Sequence, residues 1–251
     1  MQGARSFDGK TVIVTGAAGD IGRATVDILS AKGAHVVAVD LADQTTLNEY
    51  AGSSHLSYLR GDVTDEQSVK SFVNDALSVS GKIDVLINNA GIEGPMCEIP
   101  SLDFVDFAKV LAVNVNGVFL TMKHVIPIMR KAGNGCIVNM ASTAGMAGTP
   151  RASAYVASKH AVIGLTRAAA AEWAGSGVRV NCIAPGPIDG RMMGSIMGGL
   201  DAVGDVVRQR IPSGRFGSPG EVASVIAFLA SDDARHIHGA VIPVDGGRTA
   251  V

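Results

Sequence analysis

Tyr155 and Lys159 stand four residues apart, so on a helix they project from one face, one turn apart. Ser142 precedes Tyr155 by 13 residues and follows Cys136-Ile-Val-Asn-Met140, an apolar run that reads as a buried strand with a loop beyond it. A strand end and a helix can thereby bring a hydroxyl, a phenol and an ammonium to one place. A phenol titrates near pH 10, so as a general base at neutral pH it needs help of roughly three units, about 4 kcal/mol. A neighbouring ammonium supplies part of that by favouring phenolate. Such a trio suits proton transfer at an alcohol or carbonyl oxygen. A lone Tyr-x-x-x-Lys equally fits a surface tyrosine and a solvated lysine, so the rest of the chain must decide.

The elements that would position these residues alternate between strand and helix. Thr11 to Thr15, His35 to Asp40 and Leu56 to Val63 read as strands, as do Asp84 onward to the turn at Gly91, Gly135 to Ser142, Val178 to Ala184 and Ala240 to Val244. Helices are expected from Asp20 to Lys32, and from Asp65 to Ser80 with Thr64 as N-cap. A stretch from about Ser101 to Ala132 should bend at Pro127, and two more run from past Arg151 to about Gly175 and from Pro219 to about Ala230. Gly186 to Gly217 is rich in Gly, Met and Pro and reads as a mobile loop with a short helix. Apolar, β-branched strands separated by helices imply an α/β fold, a parallel sheet covered on both faces. No linker, repeat or low-complexity segment divides residues 1–251, which predicts a single domain with a substrate loop at about 187–217.

Composition narrows the function classes. The 251 residues are 47% hydrophobic and 18% charged, enough for a sizeable core, and the net charge is −2 without a Lys/Arg cluster. Nucleic acid is therefore not an expected partner, because phosphate binding needs concentrated positive charge. Cys97, Cys136 and Cys182 are widely spaced and form no Cys-x-x-Cys pair. They predict small buried hydrophobes, no metal and no disulfide, and a cytoplasmic setting. His236 and His238 lack a third nearby ligand and read as a solvated loop. Met1 to Lys10 has no apolar signal core, and no uninterrupted apolar run reaches about 18 residues, so no membrane span is expected.

The first strand runs into Thr15-Gly16-Ala17-Ala18-Gly19-Asp20-Ile21-Gly22. Strand, glycine-rich turn and helix in that order is the context of a dinucleotide site, where glycines admit a pyrophosphate and the helix N-terminus favours its charge. Gly16 and Ile21 are its candidate contacts. Asp40 closes the second strand 24 residues after Gly16, where a carboxylate bonds ribose hydroxyls and repels a 2′-phosphate. The cofactor expected is NAD rather than NADP. Asp20 is expected to cap its helix, its carboxylate turned toward the unpaired N–H groups.

With these residues placed, the chain resembles the short-chain dehydrogenase/reductase family from Lys10 to about Arg248. The nucleotide turn matches Thr-Gly-x-x-x-Gly-x-Gly with one departure, Asp20 for the middle Gly. Asp62-Val63 resembles the adenine-contacting pair, and Asn88-Asn89-Ala90-Gly91 the sheet-stabilising motif. Asn114 falls at the helix Asn of the family's proton relay, and Pro185-Gly186-Pro187-Ile188 at the segment whose backbone meets the nicotinamide amide. Gly190 stands where many members carry a Thr that bonds the same amide.

What the resemblance implies is a Rossmann-type, doubly wound parallel sheet of about seven strands. It also implies hydride transfer between a nicotinamide cofactor and a secondary alcohol or ketone. Tyr155 would be acid/base, kept partly ionised by Lys159 and the nicotinamide charge. Ser142 would hold the substrate oxygen, Lys159 the nicotinamide ribose, and Asn114 a water chain. Asp20, Asn89, Ala90, Gly91, Pro185, Gly186 and Ile188 would line the cofactor, and members of this length commonly form homotetramers. Met192 and Met193 would wall an apolar pocket for a small hydrophobic or cyclic substrate. The alternatives are an NADPH-linked reductase of 3-oxoacyl thioesters and, outside enzymes, a dinucleotide-sensing scaffold. Retention of Ser142, Tyr155, Lys159 and Asn114 argues for catalysis.

Overall fold

The strands Thr11–Thr15 (β1), His35–Asp40 (β2), Leu56–Arg60 (β3), Val85–Asn88 (β4), Gly135–Met140 (β5), Val178–Pro185 (β6) and Val241–Val244 (β7) form one sheet in the order β3-β2-β1-β4-β5-β6-β7. Every pairing is parallel. The computed structural model describes residues 6–42, 55–197 and 201–251, with side chains described throughout except at 195–197 and 201–204.

The strands are apolar in consecutive positions because both faces are covered. Val12 and Val14 face one side with Val36, Ile87 and Ile183, under Asp20–Ala31 (α1) and Pro219–Ala230 (α8). Ile13 faces the other with Leu86 and Ile137, under Glu66–Ser80 (α2), Gly117–Ala132 (α4) and Ser153–Trp173 (α5). Phe104–Leu111 (α3), Arg191–Met197 (α6) and Asp201–Gln209 (α7) complete the helices among the described residues. The strand order reverses between β1 and β4, so the loops after these strands open a crevice at the carboxyl edge of the sheet, where open α/β sheets take ligands.

Buried amides pin the middle of that sheet. Asn88 on β4 donates to Asn139 on β5 at 2.9 Å, Asn139 donates to Thr166 at 2.9 Å, and Thr121 donates to Asn88 at 2.7 Å. Each group finds a partner, so the polar strip costs little and fixes the β4–β5 register.

Several boundaries differ from the sequence expectation. α2 is capped by Asp65, which accepts from the Gln67 and Ser68 amides, and Thr64 instead donates to Asp62. α4 continues through Pro127, and the irregularity lies at Ala112–Asn116, a π turn. Pro127 lacks the donor for one helical bond, a local loss the flanking turns absorb, whereas the extra residue of a π turn shifts the whole register. The segment after Gly186 carries two helices rather than one. Cys136 and Cys182 are buried and Cys97 is half-buried. His238 is no solvated loop residue: its Nδ1 accepts from the Val180 amide at 3.0 Å. By length and composition α3, the π turn and α4 together could cross a bilayer. Here they pack on α2 and α5 and bury Asn114.

Candidate active site

Thr15 ends β1 and the chain must then turn sharply. Gly16 takes φ 64°, and a Cβ there would lie 2.7 Å from the Ala90 Cα. A Cβ on Gly22 would meet the Gly16 carbonyl at 2.1 Å. Only glycines let the turn, α1 and the end of β4 approach this closely. Asn89 ties them together, its amide donating to the carbonyls of Thr15 at 3.1 Å and Gly16 at 2.8 Å. Thr15 Oγ1 accepts from the Asn89 and Ala90 amides, each at 3.2 Å.

The turn fits a dinucleotide. Its cap is Gly19, which makes no side-chain bond to the helix, so the first amides of α1 stay open to an anion. Asp40 lies at the edge of this turn, accepting from the Ala18 amide at 2.9 Å and the Ala42 amide at 3.0 Å. Val63 is buried, whereas Asp62 accepts from Thr64.

Asp20 is not the cap expected of it. As the first residue of α1, its side chain leaves the helix and meets the segment after β6. Oδ2 accepts from the Arg191 amide at 2.7 Å and Oδ1 from Arg191 Nε at 3.1 Å. Arg191 Nη2 also donates to the Ala18 carbonyl. A guanidinium within reach outcompetes a weak local cap, because both partners are charged.

Pro185 and Gly186 leave β6 beside β7, where Gly186 donates to the Val244 carbonyl at 3.0 Å. Ile188 bridges to Gly217, and the Gly217 amide donates to the Pro187 carbonyl at 3.0 Å. Residues 188 and 217 are thus held together, and Arg191 fastens the start of the segment between them to the nucleotide turn. Met192 and Met193 stand on α6, the first 40% exposed and the second half-buried.

Ser142, Tyr155 and Lys159 meet beyond the ends of β4 and β5. Ser142 follows β5; its Oγ accepts from the Ala144 amide at 3.1 Å and donates to the Pro185 carbonyl at 3.5 Å. Tyr155 lies on the first turn of α5, and Lys159, only 3% exposed, follows one turn later. Lys159 Nζ donates to the Met140 carbonyl at 2.8 Å and sits 5.5 Å from the centre of the Tyr155 ring. Burial lowers the Lys159 pKa to about 8. Burial raises that of Tyr155, a Ser142 hydrogen bond opposes the rise, and the Glu93 charge adds to it. In the absence of the nicotinamide charge, desolvation of the phenolate outweighs the help from its neighbours.

Asn114, fully buried in the π turn, reaches this cluster. Its Oδ1 accepts from the Ile92 amide at 2.8 Å, and its Nδ2 donates to the Ile92 carbonyl at 2.8 Å and to Ser158 at 3.0 Å. Both amide hydrogens are committed, leaving the second lone pair of Oδ1. Gly91 keeps the space before it open: a Cβ there would stand 3.2 Å from Asn114 Oδ1 and 3.4 Å from Lys159 Nζ.

The pattern has clear relatives. A family model described as enoyl-(acyl carrier protein) reductase matches residues 16–249. The chain belongs to the short-chain dehydrogenase/reductase family. Within that family it is 39% identical over 255 residues to levodione reductase of Leifsonia aquatica, covering 97% of this chain and 96% of that one. It is 41% identical over 250 residues to cis-4-hydroxycyclohexanecarboxylate dehydrogenase of Sinomonas cyclohexanicum, covering 98% and 99%. The crystal structure of levodione reductase gives a TM-score of 0.93 at 38% identity, over 98% of this chain and 99% of its own. ElxO with NADP bound gives 0.89 at 32%, over 96% and 99%. The family member described here is therefore an oxidoreductase that interconverts a CH–OH group and a carbonyl.

Among the described residues no cluster of three or more His, Cys, Asp or Glu could hold a metal. Sequence reading missed Arg191, Ser158 and the Met140 carbonyl. The one available signal was that the two departures from the family pattern, at residues 20 and 190, occur together.

Proposed function

We propose an NAD-linked dehydrogenase of small cyclic or hydrophobic secondary alcohols, reversible to the ketone. The observation that carries this is the convergence of Ser142, Tyr155 and Lys159 beside a turn edged by Asp40. A carboxylate there accepts from ribose hydroxyls and repels a 2′-phosphate. The relatives support the substrate class, since the relative of 41% identity is named for a hydroxycyclohexanecarboxylate and another, 39% identical, for a cyclohexadiene diol.

A bound nicotinamide dinucleotide supplies the two-electron acceptor or donor of hydride. For oxidation, Tyr155 accepts the hydroxyl proton as the carbinol carbon loses its hydrogen with both electrons; for reduction, it returns a proton to the carbonyl oxygen. Ser142 donates to the same oxygen and fixes its distance from the phenol. Lys159 gives Tyr155 a positive neighbour when protonated and an anchor for the nicotinamide ribose. The gap between Asn114 Oδ1 and Lys159 Nζ, left open by Gly91, suits a water that passes the proton outward. The substrate pocket lies under the 187–217 loop, with Met192 and Met193 on its apolar side.

The chain also forms a homotetramer in this reading. Phe104 and Val105 at the start of α3 are 79% and 76% exposed, and Ile99, in the 3-10 turn before it, is 74% exposed. Ile99 and Phe104, with Leu102, Phe107, Ser153 and Ala157, line an apolar groove beside α5, which a second copy would cover. Free cysteines fit a reducing, cytoplasmic setting.

The test is an initial-rate screen of NAD and NADP against cyclohexanols, cyclic diols, acyclic diols and 3-oxoacyl thioesters. NAD with a cyclic alcohol should give the highest kcat/KM. A tenfold preference for NADP, or selective turnover of thioesters, would replace this reading with the thioester reductase.

A further inference from the structure

Two positions at which this chain departs from its family's pattern touch each other. Asp20 lies at the first position of α1 and Gly190 just before α6, separated by 170 residues of chain. A Cβ on Gly190 would stand 2.6 Å from Asp20 Oδ2, and Gly190 adopts φ 151°. The Asp20 carboxylate therefore occupies the room that a side chain at 190 would take. The next residue, Arg191, gives that carboxylate its backbone amide and its Nε, and gives the Ala18 carbonyl its Nη2.

We propose that Asp20 and Arg191 form a charge-compensated clasp that fastens the substrate loop to the nucleotide turn while keeping the turn fit for an anion. Both are positioning residues. The inference rests on the dinucleotide reading above.

Its logic is electrostatic. A carboxylate at the start of α1 has two nearby attractions: the open amides of the helix and the guanidinium of Arg191. In the first case it fills the pyrophosphate seat and repels the ligand. In the second it leaves the seat empty and arrives neutralised. Arg191 decides between them, drawing Asp20 away from the amides. The same bonds fix the beginning of α6, which carries Met192 and Met193, so the geometry of the substrate side depends on the clasp while occupation of the turn depends on its charge balance.

These two dependences separate in a double-mutant cycle. NADH binding is titrated without alcohol by its own fluorescence, and the alcohol KM is measured at saturating NAD. Arg191→Ala should weaken NADH about fivefold or more, because an unpaired Asp20 then competes for the turn. Asp20→Gly should leave NADH binding within about twofold of wild type, and Asp20→Gly/Arg191→Ala should recover the affinity lost in Arg191→Ala. The alcohol KM should rise in all three variants, and Asp20→Asn, which still accepts through one oxygen, should restore most of it.

Unchanged NADH affinity in Arg191→Ala overturns the clasp, as does a double variant that binds as poorly as that single one. Wild-type NADH binding is read in the same titrations, so failure of the nucleotide reading and failure of the clasp give different results. Retained melting temperatures for the variants exclude simple unfolding as the cause of a lost affinity.

Discussion

Lys159 carries its ammonium over the ring of Tyr155, 5.5 Å from the ring centre, while bonding the Met140 carbonyl at 2.8 Å. Both groups are displaced toward neutrality: the lysine falls to about 8 and the tyrosine rises above its ordinary value, each chiefly through burial. In the dinucleotide-free protein Tyr155 should therefore remain a phenol through neutral pH. Ketone reduction persists until pH rises through the raised tyrosine value, and alcohol oxidation gains as pH rises. Difference absorbance of wild type minus Tyr155→Phe should show no phenolate near pH 8; a phenolate band there contradicts the assignment. Because the Glu93 charge helps to raise Tyr155, Glu93→Gln should shift its titration downward.

Tyr155→Phe removes the transferable proton but keeps the ring that packs against Lys159. It should lower kcat by about 10²- to 10⁴-fold, with NADH affinity close to wild type. Retention of more than a tenth of the activity would remove Tyr155 as acid/base.

Asn114→Ala strips both Ile92 groups and Ser158 of their partner inside the π turn. The expected cost is about 1–3 kcal/mol of unfolding free energy, seen as a lower denaturant midpoint at unchanged slope. Activity should fall further than stability alone explains, since the open site beside Lys159 loses its acceptor. Equal activity per folded molecule would confine Asn114 to a structural role.

Asp40→Ser should raise the NADP/NAD ratio of kcat/KM by about tenfold or more, from loss of about 1.4 kcal/mol or more of charge repulsion. It also removes the acceptor for the Ala18 and Ala42 amides, so NAD efficiency itself should drop. An unaltered ratio would show that Asp40 does not select the cofactor.

Two surface carboxylates add to stability on the acid side. Glu66 on α2 accepts from Lys123 and His124 on α4 at 2.7 and 2.9 Å, and Glu221 pairs with Arg215 and closes the Ser218 capping box. Each is held at about 2, Glu66 foremost by its bond to Lys123 and Glu221 by its bond to Arg215. Depressed folded values stabilise above the unfolded value of 4.5, and that contribution is lost as pH falls toward 2. Denaturant titrations of Glu66→Gln and Glu221→Gln between these limits should show a shallower fall than wild type; parallel curves would discount both pairs.

By itself the sequence determined whatever local periodicity encodes. Consecutive apolar, mostly β-branched residues such as Val36 to Val39 mark strands buried on both faces. The four-residue spacing of Tyr155 and Lys159 places them on one helix face. The order strand, glycine turn, helix was legible as well, because such a turn is built from contiguous backbone. Tertiary structure decided the remainder. Asp20 looked like a helix cap until folding brought Arg191, 171 residues away, against it. Asn114 lies in a π turn and bonds Ile92 and Ser158, 22 and 44 residues away along the chain. The spacing of Tyr155 and Lys159 puts an ammonium near the phenol, whereas the burial that raises the tyrosine and lowers the lysine in the dinucleotide-free protein comes from the rest of the fold. Desolvation and long-range pairing depend on what the rest of the chain places around a residue, and neither is written in its neighbours along the sequence.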